Sequence, residues 1–454
     1  MTALEISAAV RVGTTRAAAV IETALDRIAE LDPQLTAFTA VFAERARAHA
    51  ARVDADIAAG RDPGPLAGVP FAAKDLFDVA GVVTRAGASV TADDPPAAHD
   101  ADSVAALERQ GAVLVGVTNM DEFAYGFVTE NAHTGATRNP HDLDRIAGGS
   151  SGGSAAAVCA GLVPLALGSD TNGSIRVPAA LCGICGIRPT LGRLSRRGAY
   201  PFANSLDTVG PFARTIADLQ AAFAALDPLF EATPTVPPGL RCARLTDYFD
   251  TGLLPQARLA VERVCAALAT TQTIALPDAA RAREAAYIIT AAEAGELHAA
   301  RLRGQAAEYD PATRDRLTGG ALMPAAWYIR AQRFRSWFHA QVVEIFARCD
   351  VLIAPATPYP ATRIGQTSID IDGSRTAIRP NLGVFTQPIT LTGMPVVTIP
   401  IGEAGTLPVG VQLIGRAGSE NVLLALAAEL EGRGIAVAPA PPLYAGNDPR
   451  RVTV

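Results

Sequence analysis

Lysine is nearly missing from this 454-residue chain: Lys74 is the only one, against 38 arginines. Charged residues of all kinds reach 19%, below the usual quarter. No run of five or more basic residues occurs, and the formal net charge is −6. A nucleic-acid partner therefore has no electrostatic footprint. Long apolar runs are missing too. The longest, about residues 155–167, is broken by Gly161 and Pro164 and falls short of the ~20 residues that cross a bilayer. The N-terminal stretch "MTALEISAAVRVGTT" carries Glu5 and lacks the basic-then-apolar layout of a secretion signal. The expectation is a cytoplasmic protein with no membrane partner.

Cysteine is also sparse. Six residues, Cys159, Cys182, Cys185, Cys242, Cys265 and Cys349, are too scattered for a disulfide framework. Cys182 and Cys185 spell C-x-x-C, but no second pair completes a four-cysteine zinc site, and the apolar neighbours favour buried thiols. His99 lies among Asp93, Asp94, Asp100 and Asp102. Its place just before a helix favours a solvated acidic turn over a metal site. The expectation is that neither metal nor cofactor is used.

What the chain does have is apolar mass, 49% of its residues, enough for a large core. Thr15 can cap a helix over residues 16–32, with Ile21, Ala24, Leu25, Ile28 and Leu31 on one face. A second helix fits 42–59, closed by Gly60. "GVPFAAKDLFDVAGVVT" reads as buried strands and turns. Asp102 or Ser103 can cap a short helix that Gly111 ends, before the buried strand "AVLVGV". A helix over about 153–160, a turn at Gly161 and a strand near 165–167 continue the alternation. The Pro-rich passage 226–240 is the best linker or insertion boundary. Helical patterns at 255–268, 281–308 and 325–348 follow, then the apolar strands "VLIAPA", "PVVTIPI" and "VGVQLIG" and a last helix over about 420–432. The reading is α/β, with a mixed sheet interrupted by a helical layer.

The stretch "AGGSSGGSAAAV" (147–158) concentrates glycine and serine. Glycine is costly to order, so such a loop needs a reason. A nucleophile elbow G-x-S-x-G centred on Ser151 needs a strand before it and a later histidine. The preceding residues are loop-like, and only His298 and His339 follow, both in helical patterns. A phosphate cradle fails as well: no lysine follows the glycines, and the spacing is not G-x-G-x-x-G. A serine without histidine needs another base, and lysine is one alternative. Lys74 sits in the apolar "GVPFAAKDLF", where burial would lower its pKa. An ion pair with Asp75 or Asp78 is the competing reading. Farther on, the small-residue turn Asn172-Gly173-Ser174 offers successive backbone N–H groups that could form an oxyanion hole.

Together, "GGSSGGSAAAVCAGLVPLALGSDTNGSIRVPAALCGICGIRPT" and "GVPFAAKDLFDVAGVVT" resemble the amidase signature family, in order and over essentially the whole chain. The resemblance implies one domain with a large mixed β-sheet sandwiched between layers of helices. Its parts would be N-terminal helices at about 1–60, a signature core at about 65–225, a helical insertion at about 228–348, and C-terminal strands and a helix at 349–454. It implies an amidase with a Ser–cisSer–Lys mechanism: Lys74 as base, Ser150 as bridge, Ser174 as nucleophile. The backbone amides of Thr171, Asn172, Gly173 and Ser174 would hold the oxyanion. A cis peptide is expected at Gly149–Ser150 or Ser150–Ser151, with the glycines supplying slack. Asp170 and Arg176 would brace the turn as an ion pair.

For the substrate, "NMDEFAYGFVTEN" resembles the family's pocket-lining stretch, where the A subunit of the tRNA-dependent amidotransferase usually has Met in place of Tyr125. "AAWYIRAQRFR" (325–335) resembles a helix that gives an arginine to substrate carboxylates. Arg335 is the first candidate and Arg330 the second, with Tyr125 and Ser151 as further substrate-binding candidates. The implied substrate is a small carboxylated amide of the urea type. The implied partner is a small helical protein similar to the amidotransferase C subunit, and a homodimer is the self-association expected. The competing readings are a glutaminase component that supplies ammonia to a tRNA-dependent partner, another small-molecule amidase acting on biuret, allophanate or malonamate, and a fold kept without catalysis.

Overall fold

The computed structural model describes residues 1–445 except 234, 404 and 438. One mixed sheet of eleven strands runs through it. Its strands are β1 (Phe38–Val41), β2 (Pro70–Lys74), β3 (Val113–Thr118), β4 (Leu165–Asp170), β5 (Cys185–Arg188), β6 (Thr208–Ala213), β7 (Cys242–Thr246), β8 (Thr273–Ala275), β9 (Val351–Pro355), β10 (Val396–Ile401) and β11 (Val409–Gly415). Their order across the sheet is β1-β3-β2-β4-β6-β5-β10-β11-β9-β7-β8. The parallel trio β3-β2-β4 lies inside it. Every residue of these three strands is buried. That explains their continuous apolar runs, since strands covered on both faces need no polar alternation.

Helices α1 (Ala3–Arg11), α2 (Ala17–Leu35), α3 (Ala43–Ala58), α4 (Asp102–Arg109), α5 (Gly152–Cys159), α6 (Arg176–Cys182) and α7 (Ile216–Leu226) belong to the first half. Helix α5 packs on β2, β3 and β4 and touches α6, which covers β5, β10 and β11. The second half adds α8 (Pro255–Ala267), α9 (Ala279–Gln305), α10 (Pro311–Ala321), α11 (Ala325–Ile345), α12 (Gln387–Thr392) and α13 (Glu420–Gly432). Helix α9 packs against α10, α11 and α12. This is the α/β fold of a large mixed sheet between helical layers.

Several boundaries differ from the sequence reading. Thr15 does not cap α2. The N-cap is Arg16, without a side-chain bond, and the free amides of Ala17 and Ala18 donate to the Asp54 carboxylate of α3 at 2.7 and 3.1 Å. A carboxylate from a neighbouring helix does the capping. Asp102 and Ser103 do not cap α4 either: the N-cap is Ala101, and Asp102 opens the first turn. The stretch 228–348 is not purely helical, because it supplies β7, which pairs in parallel with β9, and β8, which pairs in parallel with β7 at the sheet edge. Helix α10 was hidden by its composition. Gly320 packs against the backbone of Ala291, and Gly295 of α9 against Gly320 and Ala321, so a Cβ at either glycine would collide.

Candidate active site

Lys74 ends β2 and is fully buried. Its Nζ donates to Ser150 Oγ at 2.7 Å and to Ser169 Oγ at 2.9 Å. The ion pair with Asp75 or Asp78 does not form; Asp78 instead accepts the Thr84 hydroxyl at 2.5 Å. Burial penalises the ammonium and lowers the Lys74 pKa to about 7, against a weaker upward pull from Asp121, Asp170 and Asp207.

Ser150 lies in the loop before α5, and the Gly149–Ser150 peptide is cis. The glycines here are not slack. A Cβ on Gly149 would run into the Asp121 carboxylate and the backbone of Phe127 and Val128, and one on Gly153 into the backbone of Ala37 and Asn119. The loop is glycine-rich because backbone packs on backbone there. Asp121 fixes the same loop: its amide donates to the Ser150 carbonyl at 3.3 Å, and its carboxylate accepts the Thr129 amide at 3.0 Å.

The turn carrying Ser174 hangs on Asp170, the last residue of β4. Its carboxylate accepts Gly173 N at 2.8 Å and Ile175 N at 3.2 Å. It also pairs with Arg176 at 2.9 Å and Arg188 at 3.0 Å, all three side chains being fully buried. Burial alone would raise the Asp170 pKa; the two guanidinium groups outweigh it and hold the carboxyl far below its usual range. Of the four amides expected in an oxyanion hole, that of Gly173 is already bound to Asp170. Those of Thr171, Asn172 and Ser174 meet no acceptor among the described residues.

A cavity of about 810 Å³ opens over this turn; Ser174, Asn172, Tyr125, Arg283, Arg316 and Trp327 are among its walls. The Ser174 hydroxyl has no hydrogen bond among the described residues, including none to Ser150. Arg316 donates to the Tyr125 carbonyl at 2.6 Å, and its guanidinium stacks on the Tyr125 ring at 4.1 Å. Arg283 donates to Gln387 Oε1 at 3.1 Å and to the Pro380 carbonyl at 2.6 Å. Neither guanidinium has a carboxylate partner among the described residues, whereas Arg379 on the same wall pairs with Glu130. The cavity thus holds two guanidinium groups not paired to a carboxylate among the described residues, although the Glu284 side chain also belongs to its wall. The Tyr125 hydroxyl is buried without a hydrogen-bond partner among the described residues, and burial with the nearby Tyr287 phenol pushes its ionisation up.

The arginines chosen from sequence lie elsewhere. Arg335 donates to the Ser205 carbonyl at 2.8 Å and to Leu391 O at 3.4 Å, joining α11 to a loop and to α12 outside the cavity. Arg330 is exposed on α11. Ser151 is fully buried behind the site, its hydroxyl donating to the Ser169 carbonyl at 3.2 Å. His298 is buried beside the Phe123 ring at 4.2 Å, which drives its pKa down to about 4. His339 hydrogen-bonds the Thr392 carbonyl at 2.6 Å. Neither histidine lines the cavity. Cys182 and Cys185 are free and buried, their thiols pushed well up by burial. Asp94, Asp100 and Asp102 pair with Arg301, Arg45 and Arg197, and no His, Cys, Asp or Glu group among the described residues could hold a metal. No helix among them is long and apolar enough to cross a membrane. Sequence reasoning missed Ser169, Arg283, Arg316 and Thr290, whose hydroxyl on α9 accepts from Asn172 Nδ2 at 2.8 Å. Ser169 alone had a local signal, one residue before Asp170 on the same strand.

A buried lysine bound to a serine, beside a braced serine turn at the floor of a cavity, fits amide hydrolysis. The comparisons agree: residues 19–424 match the Amidase family, and the chain belongs to it. It is an amidase of the amidase signature type. It is similar to AtzE, the 1-carboxybiuret hydrolase subunit of Pseudomonas sp. (strain ADP), at 47% identity over 96% of this chain and 99% of the relative. It is 40% identical to the A subunit of the glutamyl-tRNA(Gln) amidotransferase of Roseiflexus sp. (strain RS-1), over 88% of this chain and 89% of the relative. A solved structure, described as a vestigial protein complex that reveals the origins of an s-triazine catabolic enzyme, superposes with a TM-score of 0.93 at 46% identity. It covers 96% of this chain and 100% of that one.

Proposed function

We propose that the protein hydrolyses the terminal amide of 1-carboxybiuret, giving 1,3-dicarboxyurea and ammonia. The observation that carries this reading is the pair of arginines not engaged by a carboxylate among the described residues, Arg283 and Arg316, in the cavity that Ser174 also lines; with Arg379 they outnumber its one carboxylate wall residue, Glu284. A small amide bearing a carboxylate supplies the missing negative charge.

In the mechanism, neutral Lys74 takes the Ser150 proton as Ser150 takes the proton of Ser174. The Ser174 oxygen attacks the terminal carbonyl, and the amides of Thr171, Asn172 and Ser174 receive the oxyanion. The proton returns to the leaving nitrogen, ammonia departs, and an acyl-enzyme remains. Water, deprotonated by the same relay, releases the product carboxylate. The Lys74–Ser150 hydrogen bond of 2.7 Å supports the first link. A homodimer, a cytoplasmic setting and a small helical partner similar to the amidotransferase C subunit belong to the same proposal. Similarity to the amidotransferase's glutaminase component favours a second reading, a glutaminase feeding a tRNA-dependent partner.

The test is ammonia release by purified protein from 1-carboxybiuret, biuret, allophanate, malonamate and glutamine. The proposal expects 1-carboxybiuret to be preferred without a tRNA-dependent partner and the Ser174→Ala variant to be inactive. Preference for glutamine would overturn it in favour of the second reading.

A further inference from the structure

Asn172 stands two residues before Ser174 and lines the same cavity. The residue is 7% exposed. The Nδ2 group is fixed, donating to Thr290 Oγ1 of α9 at 2.8 Å. The Oδ1 atom is buried and has no hydrogen-bond partner among the described residues. A buried amide oxygen left without a donor is unfavourable. Here the side chain is held in place by an anchor on a long helix, and its residue lines the cavity. Such an atom is satisfied when a ligand brings an N–H group to it.

We infer that Asn172 Oδ1 reads the N–H group next to the scissile carbonyl, so that the Asn172–Thr290 pair selects ureides over carbon-chain amides. The inference rests on the proposed function and adds a specificity-determining side chain to it. In a ureide the atom following the terminal carboxamide is N–H; in malonamate, glutamine or an acyl amide it is CH₂. The CH₂ group cannot donate, so such a substrate leaves the buried Oδ1 with nothing to accept. A site built for a substrate N–H disfavours the analogue lacking it because its own buried acceptor is then left unpaired. The role belongs to the side chain and is separate from the backbone amide offered to the oxyanion. Asn172→Gly keeps that amide and removes only the reader.

Allophanate and malonamate make the test. Both are small carboxylates ending in a carboxamide, and they differ by one N–H against one CH₂. The ratio of their kcat/KM values is measured for the full-length protein, Asn172→Gly and Thr290→Val. Where either compound is not turned over, its protection of Ser174 from a fluorophosphonate probe is compared instead. The expected result is a preference for allophanate of roughly 10–100-fold, reduced to near unity in Asn172→Gly and lowered in Thr290→Val. A purely structural role would lower both rates together and leave the ratio unchanged; that result, or a ratio near unity in the unaltered protein, overturns the inference. If the ratio is large but 1-carboxybiuret itself is not hydrolysed, the proposed substrate fails and the assignment of Asn172 stands.

Discussion

Lys74 Nζ and Ser150 Oγ lie 2.7 Å apart with both side chains fully buried. Lys74 also has Ser169 Oγ within 2.9 Å and no carboxylate in contact, so the cost of burying its charge is only partly offset by the more distant Asp121, Asp170 and Asp207. An amine in this setting gives up its proton near neutrality and can act as a base.

The pH dependence follows with a definite sign. The base works in its neutral form, and burial places the Lys74 pKa at about 7. The value of kcat/KM rises about tenfold per pH unit below that point and levels above it. Initial rates of ammonia release from about pH 5 to pH 9 check this. Replacing the base, as in Lys74→Met, is expected to cost roughly 10²–10⁴-fold in kcat.

Ser169 accepts a hydrogen bond from Lys74 and so favours the charged amine. Ser169→Ala is expected to move the acid limb of the pH profile to lower pH and to lower kcat, because one of the two bonds aiming Nζ is lost. The same rate measurement read across pH distinguishes this from general damage, which lowers the plateau without moving the limb.

Asp170 carries the turn. Asp170→Asn leaves the buried Arg176 and Arg188 without their shared carboxylate. Breaking a buried pair from one side costs about 3–5 kcal/mol, so thermal unfolding should show a large fall in Tm. The native carboxyl is held below its unfolded value. Its contribution is therefore present above the ordinary carboxylate range and is lost only as pH falls through the depressed folded value.

Arg316→Ala and Arg283→Ala should lower kcat/KM for carboxylated substrates by roughly 10–100-fold each, the worth of a charged hydrogen bond. They should change the rate on uncharged amides such as biuret much less. Arg335→Ala should leave that selectivity intact, since Arg335 binds backbone carbonyls outside the cavity. Steady-state kinetics on a charged and an uncharged substrate read the difference.

The sheet strands and the major helices were legible because each leaves a contiguous mark: a fully apolar run or a periodic face. The buried Lys74 was legible from its apolar strand, whereas the roles expected of Ser150 and Ser174 came only from the resemblance. What crosses between distant segments left no such mark. Asp54 caps a helix some forty residues away in sequence, and a local reading assigned the task to Thr15. Arg316 lies on α10, whose glycines look like helix breakers until Gly320 is seen packed on Ala291 of α9. Arg335 had the better local setting and the wrong tertiary one. The glycine-rich loop was visible, but its reason was not: the crowding of Gly149 by Asp121 exists only once residues 121 and 149 are brought together.

In the proposed mechanism Ser174 is the nucleophile, and buried Lys74 activates it through Ser150. The most direct measurement is mass spectrometry of the protein after reaction with a fluorophosphonate, with the labelling rate followed across pH. The account predicts a single adduct on Ser174, formed at a rate that climbs through about pH 7 with the ionisation of Lys74 and is abolished in Lys74→Met. An adduct on Ser150 or Ser151, or labelling of Ser174 that is indifferent to Lys74, would contradict it.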